Sequence, residues 1–170
     1  TSGFAVDSNN ARDAISVITF AGRGDDRAIR RAFFDFDTSG ITVTPASADL
    51  KIYGYYNTSA DIIIVRGTQS TSLATADFDN IYDSVSELDN TNGEGAGTLV
   101  GVSGLTYSSE VTTWSTSGYN TISLNATALA DMASLSTFKI CMMHHDWDYL
   151  DINPTGVELI GNWWQEQTGT

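Results

Sequence analysis

The sequence is short of several things at once. It has one cysteine, Cys141, so no disulfide can form within the chain. It has two prolines in 170 residues, and charged residues make up 17%, below the ~25% of an average domain. Its longest aliphatic run, Ile62 to Val65, is far too short to cross a bilayer as a helix. There is no Gly-x-y period and no sustained heptad, which excludes collagen and coiled coil. Histidine occurs twice, at His144 and His145. Positive charge runs out early. Seven of the eight basic residues lie at or before Arg66, facing eight acidic ones, whereas Lys139 alone faces thirteen acidic residues afterwards. The net charge of -13 repels nucleic acid and anionic lipid, so neither is an expected partner, and no membrane insertion is expected.

What is present is hydroxyl, aromatic and alternating apolar sequence. Serine and threonine total 39, and 41% of residues are hydrophobic. The length suits one domain, residues 1–170, with residues 1–11 as an N-terminal arm, and a core sufficient without metal or disulfide. Alternation is the dominant signal. Strands are expected at residues 14–20 (AISVITF), 29–37 (IRRAFFDFD), 48–55 (ADLKIYGY), 61–66 (DIIIVR), 137–144 (TFKICMMH) and 157–164 (VELIGNWW). Shorter candidates lie at 98–103, 110–114 and 119–124. In residues 29–37, Ala32, Phe34 and Phe36 share one face and are expected in the core, with Arg31, Phe33 and Asp35 on the other. Two short helices are signalled, 76–82 behind Thr75 and 126–133 behind Asn125, both good N-caps. Neither is long enough to cover a parallel sheet. The fold class expected is all-β: an antiparallel β-sandwich, jelly-roll-like, with one or two short helices.

No catalytic motif is complete. Residues 101–105 (GVSGL) approach a nucleophile elbow, but Leu105 stands where that motif needs glycine. His144 and His145 are adjacent, and in a strand they would point to opposite faces. The chain is therefore read as a non-enzyme. The densest acidic cluster is DWDYLD, where Asp146, Asp148 and Asp151 could present oxygens to Ca²⁺; the alternative is a solvated acidic turn. It is not an EF-hand loop, since Leu150 and Asp151 occupy positions that need a ligand and a glycine. Trp147, Tyr149, Trp163 and Trp164 are candidates for stacking on a sugar ring or for a subunit interface, with burial in the core as the structural alternative. Tyr53, Tyr55 and Tyr56 form a further aromatic group. Arg23-Gly24-Asp25 and the sequons at Asn57 and Asn125 are short enough to arise by chance.

Several segments together resemble a known family. "RRAFFDFDTSGI" (30–41) followed by "PASADLKIYGY" (45–55) resembles the opening strands of DNRLRE-type, carbohydrate-binding-module-like β-sandwich domains. "ADIIIVRGTQSTSLATADFDNI" (60–81), "TTWSTSGYNTISLNATALADM" (112–132) and "DWDYLDINP" (146–154) are similar to uncharacterised proteins of marine phage and metagenomic sequence. The resemblance implies a virion or extracellular setting and no catalytic residue. It implies a structural or adhesive assembly protein, a decoration, fibre or appendage subunit. Its partners would be copies of itself or other virion subunits. The alternative is a carbohydrate-binding module of a secreted polysaccharide-active protein, with surface polysaccharide as ligand. A contact with a neighbouring subunit is expected at the C-terminal strand or the N-terminal arm, with Trp164 as an anchor.

Overall fold

The computed structural model describes residues 12–19, 27–59, 61–70, 72, 74, 77, 81, 99–152 and 157–163. The arm at 1–11, the RGD tripeptide, most of the helix expected at 76–82, and Trp164 lie outside them. The described chain is mostly β, with antiparallel sheets and two short helices.

Its elements in order are β1 (Arg12–Thr19), β2 (Arg27–Arg30), β3 (Ala32–Asp37), β4 (Asp49–Asn57), β5 (Ile62–Arg66), β6 (Gly118–Ser123), α1 (Ala126–Ser134), β7 (Thr137–His144), a π-helical turn (His145–Tyr149) and β8 (Val157–Trp163). One sheet has five strands in the order β2-β1-β8-β4-β6; the other has three, β3-β7-β5. The segment 105–111 runs beside β5, exchanging backbone hydrogen bonds between Ile62 and Val111.

The three-stranded sheet is buried on both faces, which explains why β5 reads IIIV without alternation. Ile62 and Ile64 join Phe138, Ile140 and Met142 of β7 in one apolar cluster. Ile63 and Val65 join Cys141 and Met143 in a second cluster on the opposite face. Period-2 geometry sorts the two sets without exception. The first cluster also takes Ile52, Ile122 and Ile160 from the five-stranded sheet. The second is covered by Leu99, Leu105, Tyr149 and Ile81.

Helix α1 forms behind Asn125 as its sequence requires. The Asn125 Oδ1 accepts from the Ala128 amide at 3.1 Å, satisfying one orphan donor of the first turn, a cap that contributes about 1 kcal/mol. The same side chain donates to the Thr106 carbonyl at 2.7 Å, and the Tyr107 hydroxyl donates to Asp131 at 2.6 Å. These bonds fasten the helix to the segment 105–111. Ala128 faces the core.

Five expectations need correction. Residues 29–37 are not one strand: β2 belongs to the five-stranded sheet and β3 to the other, and the chain changes sheet at Arg31. Phe36 is exposed rather than buried. Strand β3 is an edge among the described residues, and burial falls steadily from Ala32 to Asp37. Residues 99–104 form turns, with Gly101 and Gly104 at φ of 88° and 77°, in place of the strand expected at 98–103. Val111 makes an isolated bridge, not a strand over 110–114. The C-terminal strand β8 is central. Strands β1 and β4 pair with its two sides, so it offers no open edge to a neighbour.

Candidate functional site

Two surfaces carry chemistry that the core does not use. The first is the outer face of β4 and β6. Tyr53 lies opposite Tyr119 in register, and the rings meet edge to face at 5.4 Å. Lys51 pairs with Thr121 and Asp49 with Ser123, whose hydroxyl donates to the Asp49 carboxylate at 2.8 Å. Tyr119 is 59% exposed, and Tyr53, Tyr55 and Tyr56 are between 37% and 46% exposed. Strand alternation accounts for Tyr53 and Tyr55. Tyr56 joins them because the pairing of β4 with β8 shifts register between Gly54 and Tyr56, a bulge that adds one residue on the outer side.

Gly54 underlies this face. A Cβ there would lie 2.0 Å from the Ser115 carbonyl oxygen and 2.4 Å from the Trp114 indole nitrogen. Only glycine lets the backbone of β4 settle onto Trp114 while both neighbouring tyrosines point outward.

The second surface is at one end of the three-stranded sheet, where the start of β5, the segment 105–111 and the end of β7 converge. The His145 amide donates to the Asp61 carbonyl at 2.9 Å. The His145 Nδ1 lies 2.7 Å from Asp146 Oδ1 and 3.4 Å from Glu110 Oε1. The ring of His145 packs on Tyr149 with centroids 5.7 Å apart. Burial and the neighbouring carboxylates of Glu110 and Asp146 raise the Asp61 carboxyl above the ordinary aspartate range.

His144, next in sequence, does something different. Its ring is buried and stacks flat on Trp147 at 5.0 Å. The Trp147 amide donates to Nδ1 at 3.2 Å, so in the neutral ring Nε2 carries the proton and donates to Glu158 at 3.1 Å. This imidazole caps the π turn and ties β7 to β8. It has no room for a substrate.

The expected acidic trio is not brought together. Asp148 is fully buried and both its oxygens are taken by Arg31, from Nε at 2.8 Å and Nη2 at 2.6 Å. Asp146 turns toward His145, and Asp151, at φ 54°, is exposed beyond the turn. The π turn causes this. The Leu150 amide reaches back to the His145 carbonyl, five residues away, and the wide turn sends Trp147, Asp148 and Tyr149 inward. Trp147 and Tyr149, at 7% and 9% exposure, are therefore core residues and not sugar platforms. Burial also raises the Tyr149 phenol. Trp163 ends β8, with its backbone paired opposite Tyr53 and Arg12.

The residues that sequence reasoning missed were Tyr119, Glu110 and His145 as members of these surfaces. Tyr119 was legible, since it alternates with Thr121 and Ser123 on a hydroxyl-bearing strand face. Glu110 was not, because its place depends on tertiary pairing with β5. Comparison with protein-family models, with curated proteins and with solved structures finds no match.

Proposed function

We propose that this chain is a non-catalytic adhesive protein that holds polysaccharide on the tyrosine face of β4 and β6. The observation that carries the reading is the set of four exposed tyrosines on one sheet face, flanked by the hydroxyls of Thr121 and Ser123 and the ammonium of Lys51. Tyrosine suits this work: the ring stacks on the C–H face of a pyranose while its hydroxyl remains available for hydrogen bonding. Because Tyr53 and Tyr119 meet edge to face rather than stacked, only one face of one ring is covered and the remaining faces stay open. The two sheets, joined through one apolar cluster, are read as a jelly-roll-like sandwich of the DNRLRE kind, in a virion or extracellular setting. The ligand is a neutral glycan, since a net charge of -13 disfavours an anionic one.

The test is electrophoresis through gels that contain neutral or acidic polysaccharides. Retardation by at least one neutral glycan is expected, with Tyr119→Ala and Tyr53→Ala each weakening it about tenfold, or ~1.4 kcal/mol. Retardation that survives both substitutions would remove the tyrosine face from the reading, and no retardation by any glycan would remove the function.

A second reading rests on the same face, because tyrosine is also enriched at subunit contacts. A repeating virion or appendage subunit would assemble through it. Size-exclusion chromatography with light scattering separates the two. A particle much larger than 18.3 kDa that Tyr119→Ala dissolves supports assembly, and a monomer supports the glycan reading.

A further inference from the structure

We propose that Glu110, His145 and Asp146, with the Asp61 carboxyl beside them, form a binding site for a first-row divalent cation of the Zn²⁺ kind. The donor atoms of Glu110, His145 and Asp146 all lie within 4.8 Å of one another. A Zn²⁺ ion bound tetrahedrally at about 2.0–2.2 Å sets its ligand atoms roughly 3.3–3.6 Å apart. The 3.4 Å separation from Glu110 already meets that, the 2.7 Å one from Asp146 must open by roughly 0.6 Å, and the two carboxylate oxygens lie within 4.8 Å of each other.

The one hydrogen bond in the group, between His145 and Asp146, leaves the Glu110 carboxylate beside the same nitrogen without such a bond to it. An imidazole Nδ1 has one proton or one lone pair, and here two carboxylates approach the same nitrogen. The two carboxylates also have oxygens within 4.8 Å of each other, close enough for like charges to repel. Among the described residues, the ion pairs of Glu110 and Asp146 are with His145 alone. A cation between the donors relieves the repulsion and satisfies the nitrogen together.

The three ligands come from separate parts of the chain, Glu110 beside β5 and His145 with Asp146 at the π turn, and the sheet fixes their spacing. The backbone bond from His145 to Asp61 and the Tyr149 ring hold the imidazole in place. The side chains of His145, Glu110 and Asp146 are 15%, 37% and 43% exposed, so an ion reaches them from solvent. The nitrogen donor decides the metal class. Ca²⁺ and Mg²⁺ take oxygen ligands, whereas imidazole with carboxylates suits Zn²⁺ and its neighbours in the first row.

The experiment uses the full chain, stripped with EDTA and titrated with ZnCl₂ by calorimetry, with CaCl₂ in parallel. Thermal melts are run on each, and CoCl₂ gives a visible absorption spectrum that reports the ligand field. One Zn²⁺ per chain is expected, with a rise in melting temperature that EDTA reverses. Ca²⁺ should have little effect. His145→Ala and Glu110→Gln should each weaken Zn²⁺ binding at least about tenfold and alter the Co²⁺ spectrum. Glu110 is an exposed residue, so its variant keeps the test sound if His145→Ala folds poorly. Absence of Zn²⁺ binding, Zn²⁺ binding unchanged in both variants, or Ca²⁺ binding as tightly as Zn²⁺ would each overturn the proposal.

Discussion

The Arg31 guanidinium grips the Asp148 carboxylate side-on, with two hydrogen bonds of 2.8 and 2.6 Å between side chains that are almost wholly buried. The two residues are 117 positions apart. One stands where the chain passes from the five-stranded sheet to the three-stranded one, the other in the π turn after β7. Burying two charges is costly, and the fork geometry of arginine on carboxylate is what offsets it.

Removing one partner leaves the other charge buried and alone. Arg31→Met and Asp148→Asn should each lower unfolding free energy by about 3–5 kcal/mol in urea titrations. The double variant Arg31→Met with Asp148→Leu should be more stable than either single one, since no charge is then stranded. A single variant within about 1 kcal/mol of the parent would show that the pair is not the lock described here.

Cys141 and Tyr149 set the alkaline limit. Both sit in the second apolar cluster, and burial raises both groups above their ordinary values of 9.0 and 10.0. In the unfolded chain they lose their protons near those values; in the native state they keep them. The unfolded state then binds fewer protons, so stability falls as pH rises. Their contribution is intact below the ordinary thiol value, and the loss steepens once the ordinary phenol value is passed. Melting temperature measured against pH should show this, and Cys141→Ala should remove the earlier part of the fall. The native thiol should react with a disulfide reagent only at the rate of unfolding. Rapid labelling of the folded protein would contradict the burial.

The two phenylalanines paired across β3 and β7 should behave unequally. Phe138 is 2% exposed and stacks on Tyr107 at 5.0 Å, whereas Phe36, opposite it, is 38% exposed. Phe138→Ala should cost about 3–5 kcal/mol. Phe36→Ala should cost less, about 1–2 kcal/mol, because more than a third of its surface stays in water. Equal losses in chemical denaturation would mean that the end of β3 is covered in solution.

Strand content was legible because period-2 alternation is local, and β7 runs over the same residues that its pattern marks. The helix behind Asn125 was legible for the same reason: a cap is a contact over three residues. The change of sheet at Arg31 left no trace, since alternation continues unbroken through it while the hydrogen-bonding partner changes. The acidic turn misled for a different reason. A run such as DWDYLD reads as solvated when its backbone is taken as a loop, but a π turn rotates alternate charges to opposite sides, and only the distant arginine tells which carboxylate goes inward. The tyrosine face was half legible. Tyr53 and Tyr55 follow from alternation in β4, but their meeting with Tyr119 depends on a strand pairing across more than sixty residues.

Strand β1 is held between β2 and β8, and its register with β8 runs from Arg12 opposite Trp163 to Ile18 opposite Val157. During synthesis β1 leaves the ribosome close to the four-residue β2, and its longer partner β8 emerges about 140 residues later. The five-stranded sheet is then incomplete in its middle until the last strand arrives, because β8 also joins β1 to β4. Closing so long a loop is entropically slow, and it places the rate-limiting contact late. A nascent chain of this protein can therefore pair β4 with β6, and β3 with β7 and β5, before β8 is inserted between β1 and β4. The pairing of β1 thus waits on the synthesis of the intervening chain, whatever the stability of the finished fold.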